Sequence, residues 1–174
     1  MKLLGPVLFA GTAGLYFAAC QVGYFIQLEF YLSATVVSFY AMLGMWLLGG
    51  LAGLLIRKDS VTLVLVVAGL CAYYAFGWAL RQYPYDLRLL PLYLGLIFAT
   101  ALYSGYFFRH ARVQFDRVKS LFFHENNGFL LGYVLALLEL LLQGQISVQV
   151  LPAATALGHL FLWNRLETRR AQDI

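Results

Sequence analysis

Residues 3–26 read LLGPVLFAGTAGLYFAACQVGYFI, an apolar stretch without a single charged side chain. A helix crossing the hydrocarbon core of a bilayer needs about 20 such residues. This stretch meets that length and sets the reading of the whole chain. Within it Ala10, Gly14 and Ala18 recur at every fourth position, a spacing that lets a second helix come close in lipid. Met1 and Lys2 ahead of it and Ala18-Ala19-Cys20 inside it imitate a lipoprotein signal peptide. The residues beyond Cys20 stay apolar instead of opening a soluble domain, so the stretch is read as an uncleaved first span.

Composition extends that reading. Of 174 residues, 62% are hydrophobic, 17% aromatic and only 11% charged. An average soluble domain carries about 25% charged residues. Too little polar surface is present to wrap a water-soluble core, which excludes a cytosolic globular enzyme, and the apolar excess excludes a disordered regulator. The length suits one compact domain, so residues 1–174 are expected to form a single all-α, polytopic transmembrane bundle.

Five further segments read as spans: 33–56, 60–80, 89–108, 128–142 and 148–163. The fifth is short for a core about 30 Å thick. It must borrow length from residues 121–127, lie where the bilayer thins, or form a hairpin that does not cross. Pro91 and Pro152 fall in expected first helical turns, where a missing N–H has no intrahelical partner to lose. Ser60 and Asn127 are expected helix caps, and Pro84 sits in the polar connector 81–88. The two cysteines, Cys20 and Cys71, lie apart in apolar runs and read as small core residues.

Six spans place Lys2, Arg57, Lys58, Arg109, Arg112, Arg117, Lys119, Arg165, Arg169 and Arg170 on one side, ten of the twelve cations. Arg81 and Arg88 alone fall on the other. The positive-inside rule makes the rich side cytoplasmic, with both termini there, as in a multi-pass protein of the bacterial inner (plasma) membrane. Across the longest connector, Ala111, Phe115, Val118 and Phe122 keep helical spacing against Arg112, Asp116, Arg117 and Lys119. That pattern predicts an interfacial amphipathic helix over 111–123, with Arg109, Arg112, Arg117 and Lys119 among lipid headgroups. A solvated loop is the plainer alternative.

Small-residue rows recur in Gly128, Gly132 and Ala136, in Gly49 and Gly53, and as shorter pairs in Ala101 with Gly105 and Ala154 with Gly158. Such rows serve either packing within one bundle or docking to another membrane subunit. Ionisable groups inside a membrane are expensive and point to function. Glu139 stands in a run of leucines, with Gln143, Arg81 and Arg88 expected on the same side, while Glu29 falls in the first turn between spans. The cluster 124–127, His-Glu-Asn-Asn, reads as a helix cap at headgroup level, or as a His124–Glu125 pair for acid–base work or metal binding that lacks further ligands at suitable spacing. His159 is the one histidine expected inside a span, and it has no second histidine at its depth to complete a haem site. No catalytic, metal or cofactor constellation and no aromatic-interleaved basic patch for nucleic acid is found.

Gly23-Tyr24-Phe25 and Gly105-Tyr106-Phe107 fall at matching places in two helices expected to run oppositely, as an inverted repeat would. Six spans in a chain of this length, with small residues every four along the first, are similar in outline to the substrate-binding components of energy-coupling vitamin transporters. The resemblance lies in size and one spacing, and it assigns no site. Two functions lead as expectations, ahead of an intramembrane enzyme that would need His124, Glu125 or His159 to converge with other groups. One is a non-catalytic accessory or scaffolding subunit of a larger membrane complex, in contact with lipid and with other membrane subunits. The other is a small-molecule carrier, or its binding component, with an outward polar pocket around Glu139.

Overall fold

The computed structural model describes residues 4–33, 36–58 and 61–172, so Lys2 and the expected cap Ser60 lie outside the described residues. Every regular element among them is helical. α1 (Leu4–Leu28) continues into one π-helical turn, Glu29–Ser33; α2 is Val36–Gly53 and α3 is Thr62–Gln82. α4 (Leu90–Ala111) is entered through a 3-10 turn at Leu87–Leu89 and left through another at Arg112–Gln114. α5 (Val118–Gln143) and α6 (Gln145–Gln172) complete the chain. Four stretches are long and apolar enough to cross a membrane: Leu4–Leu32, Thr62–Gln82, Leu87–Gln114 and Val118–Gln143. These mark a membrane protein, to which Phe39–Gly53 adds a shorter apolar helix.

Local chemistry explains the helix ends. Asp86 accepts the Arg88 N–H at 2.9 Å and starts the turn that leads into α4, and Pro91 sits in the first turn of that helix as expected. Gly144 alone separates α5 from α6, with φ 62°, a left-handed backbone that glycine adopts without a Cβ clash. Its N–H donates to the Leu140 carbonyl at 2.9 Å, closing the last turn of α5.

Several boundaries differ from the sequence reading. α5 takes up residues 118–127, which resolves the shortness of the expected fifth span: 26 residues reach about 39 Å at 1.5 Å each. Asn127 is therefore inside a helix and caps nothing. The element expected over 111–123 is not one helix, because Phe115 and Arg117 are extended (φ −123°, ψ 134° and φ −130°, ψ 132°). Ala111 and Phe115, assigned to lipid, are buried in the protein, while Val118 and Phe122 are exposed. Pro152 falls well inside α6 and not in its first turn. Cys20 is buried as expected, but Cys71 is exposed.

The chain forms two compact units, Met1–Ala19 with His110–Ile174 and Cys20–Arg109, so α1 contributes its first part to one and the remainder to the other. In the first unit α5 runs parallel to α1, with Gly128 at Gly11 and Gly132 at Leu15 and Ala18. α6 runs antiparallel to α1, with Leu166 at Gly5 and His159 at Thr12. In the second unit α3 runs parallel to α1, with Tyr73 at Gly23 and Gln27 at Gly77. There α4 opposes α3 through Thr100 at Gly69 and Tyr93 at Phe76. α2 follows α4, with Gly49 at Phe98 and Gly53 at Leu102.

Candidate functional site

The α5 face turned inward is Leu121, Glu125, Gly128, Gly132 and Ala136, one stripe at helical spacing. It meets the small-residue row of α1. A Cβ on Gly14 would overlap the Glu125 carbonyl oxygen and come within 2.6 Å of Phe129 N. A Cβ on Gly128 would overlap the Gly11 carbonyl. Backbone thus touches backbone along a glycine-lined seam, an approach that lipid-embedded helices favour because van der Waals packing drives their association. Ala10, Gly14 and Ala18 on one side and Gly128, Gly132 and Ala136 on the other are all buried, so these expected docking rows are occupied within the chain.

Glu125 shares that stripe and is only 5% exposed. Among the described residues its carboxyl makes no hydrogen bond or ion pair. The reading of 124–127 as a cap is corrected, since these residues lie in the second and third turns of a continuous helix. The neighbouring His124 ring lies against Phe115 and Phe123, with centroids at 6.2 and 5.4 Å.

In the same unit, His159 is fully buried and stacked on Phe9, with centroids 4.6 Å apart and planes 12° from parallel. The Thr12 hydroxyl donates to the Phe9 carbonyl at 3.1 Å and lies 3.1 Å from His159 Nδ1. Threonine has one proton to give, so Nδ1 is assigned as the donor to Thr12. This arrangement ties α6 to α1 and leaves the ring in a packing role.

The second unit is built on tyrosine hydroxyls. Tyr24 Oη lies 2.5 Å from Thr100 Oγ1, which donates to Gly69 O at 2.9 Å, with Leu96 O at 3.1 Å. Carbonyls only accept, so Tyr24 is the donor to Thr100, and one chain of polar contacts joins α1, α4 and α3. Tyr73 and Gln27 are hydrogen-bonded, and the Gln27 amide donates to Gly23 O at 3.2 Å. Gly23 and Gly77 leave the space that the Tyr73 hydroxyl and the Gln27 carbonyl fill. Rings of Tyr24, Phe76 and Tyr93 stack edge to face beside this network. The Tyr93 hydroxyl is buried and, among the described residues, unpaired.

The remaining expected site residues are not gathered around a buried point. Glu29, Arg81, Arg88 and Gln143 are exposed and Glu139 is half-buried. Gly49 and Gly53 pack on α4, where a Cβ on Gly53 would overlap the Leu102 carbonyl, and Gly105 answers at Gly50. Arg109, expected at headgroups, donates from Nη1 to the Leu54 carbonyl at 2.8 Å, holding the end of α2. Arg112, Arg117 and Lys119 are exposed. Among the described residues no three His, Cys, Asp or Glu side chains converge as metal ligands.

Sequence reasoning met Glu125 only as the partner of His124 in a polar cluster and did not place it on the small-residue stripe of α5. The signal was its register: 125, 128, 132 and 136 fall on one helical face, so the carboxylate extends the small-residue row. No protein family, curated protein or solved structure matches this chain.

Proposed function

We propose that this chain is a non-catalytic accessory subunit of a larger membrane assembly, docking to a transmembrane helix of another protein through α6. The observation that carries the reading is the Ala154–Gly158 step. Alone among the small-residue rows and pairs read from the sequence, it is exposed, with nothing within 4 Å of a Cβ placed on Gly158. Val150, Leu157 and Phe161 are exposed around it at helical spacing. The carrier reading has less support, since none of the polar residues meant to line its pocket is buried.

The topology proposed with this function is six spans with both termini on the cytoplasmic face of a bacterial inner membrane. Support comes from the helix directions, which alternate within each unit as successive crossings would, and from the ten-to-two division of cations. Trp78, Tyr83 and Tyr85 are exposed near the end of α3, as aromatic side chains at a membrane interface are. Arg112, Arg117 and Lys119, with exposed Val118, Phe122 and Phe123, make a lipid-headgroup contact at the entry to α5. In a Cys71→Ser background, Lys119→Cys should react with a membrane-impermeant maleimide from the cytoplasmic side and Tyr85→Cys from the opposite side.

Extraction in a mild detergent should recover a stoichiometric membrane partner. Gly158→Leu should abolish that recovery while leaving the melting temperature of the chain unchanged. Recovery unaffected by Gly158→Leu, or a partner-free monomer that binds a small solute saturably, would refute the docking role.

A further inference from the structure

We propose that the end of the first unit where α1 and α5 begin binds acidic phospholipid and selects it over zwitterionic lipid, through Arg112, Arg117, Lys119 and Arg165. The inference rests on the headgroup contact proposed above and adds the class of lipid. Two stretches far apart in sequence bring these cations to one end. Leu166 of α6 meets Gly5 near the start of α1, and α5, which runs parallel to α1 and meets Gly14 through Glu125, begins at that same level. All four side chains are exposed, and among the described residues none makes an ion pair. The Arg165 guanidinium rests 4.5 Å from the centre of the Phe161 ring. The exposed acids described at this end are Asp116 and Glu167, which leaves an excess of positive charge.

Water alone does not account for this surface. Val113, Val118, Phe122 and Phe123 are exposed between and beside the cations. That mixture suits the boundary of a bilayer, where apolar groups enter the acyl region and cations stay among headgroups. The stretch cannot turn away from that boundary, because Ala111, Phe115 and Leu121 are buried and pin it at its start, middle and end. An arginine fork donates two parallel N–H bonds to a phosphate, and lysine adds a point charge. Net charge then sets the selection. An acidic phospholipid leaves its phosphate uncompensated, whereas a zwitterionic one cancels it with its own ammonium. Each basic residue near such a surface contributes about fivefold in affinity.

The test is native mass spectrometry of the full chain, stripped of lipid in a mild detergent and supplied with equal amounts of phosphatidylglycerol and phosphatidylcholine. The wild type should retain phosphatidylglycerol in excess. Arg112→Gln, Arg117→Gln and Lys119→Gln should each lower that preference, by about fivefold per charge removed, while Arg88→Gln in the other unit leaves it unchanged. Equal retention of the two lipids by the wild type, or an undiminished preference with all three cations replaced, overturns the proposal. Displacement of phosphatidylglycerol by inorganic phosphate at constant ionic strength also overturns it, since the surface would then hold free phosphate without need of a lipid. Should the triple variant fail to fold, Asp116→Asn adds net positive charge without touching the cations: a raised preference supports the site, and an unchanged one overturns it. Sidedness plays no part in this measurement. Labelling of Lys119→Cys from the wrong side would therefore refute the topology and leave the lipid site standing, whereas correct labelling with no lipid preference would refute the lipid site alone.

Discussion

The two parts of α1 pack by opposite means. Up to Ala18 the helix offers glycine and alanine, and α5 comes close enough for carbonyl oxygens to touch the opposite backbone. From Tyr24 onward it offers a tyrosine and a glutamine, and α3 and α4 are held through hydroxyls and ring edges. The lipid environment explains why both work. Apolar side chains gain nothing from leaving hydrocarbon, so helices associate either by close van der Waals approach or by hydrogen bonds. The first means tolerates no added atom, whereas the second tolerates shape changes but not a lost acceptor.

The largest effect should come from adding one methyl group to the seam. Gly14→Ala places a Cβ inside the Glu125 carbonyl, and backbone of a regular helix cannot swing aside as a side chain can. Overpacking of this kind costs about 3 kcal/mol. Unfolding in detergent, followed by loss of helical signal, should show a drop of that size. A Gly14→Ala protein as stable as the wild type would dissolve the distinction between the two parts of α1.

The hydroxyl region should break in a different order. Thr100→Val removes the acceptor of Tyr24 and leaves a buried hydroxyl unsatisfied, a loss of about 2 kcal/mol. Tyr24→Phe removes the donor, yet Thr100 keeps its bond to Gly69 O, so nothing is orphaned. About 0.6 kcal/mol is expected there, the scale of hydrogen bonds between membrane helices. Parallel melting curves of the two variants decide it. A Tyr24→Phe protein less stable than Thr100→Val would overturn this order.

How far the fold could be read from sequence follows from the same contrast. Runs of apolar residues long enough to cross a bilayer announce themselves by length, and 3–26 was visible at once. The small-residue rows were visible too, but a row does not say which helix it meets; the structure pairs Gly14 with α5 and Gly53 with α4. Glu125 was hidden because its neighbours Asn126 and Asn127 are polar and exposed, so the segment resembled a helix cap when only one face in the turn is buried. Arg109 was assigned by charge to lipid, although the carbonyl end of α2 supplies it with a partner inside the protein. Tyr24, Thr100 and Gly69 are distant in sequence, and only the alignment of three helices brings them together.

The smallest effect is expected from the substitution that is most damaging in the seam, moved to α6. Gly158→Ala adds the same methyl group where nothing lies within 4 Å. No clash opposes it, and alanine is favoured over glycine inside a helix by about 0.8–1.0 kcal/mol. The melting temperature should hold or rise slightly, so one chemical change has opposite signs at Gly14 and at Gly158. Alanine is also small enough to preserve a close helix contact, so recovery of a docked partner should survive Gly158→Ala and fail in Gly158→Leu. A loss of stability in Gly158→Ala would mean that this face is already covered within the chain, and the docking surface would have to be sought elsewhere.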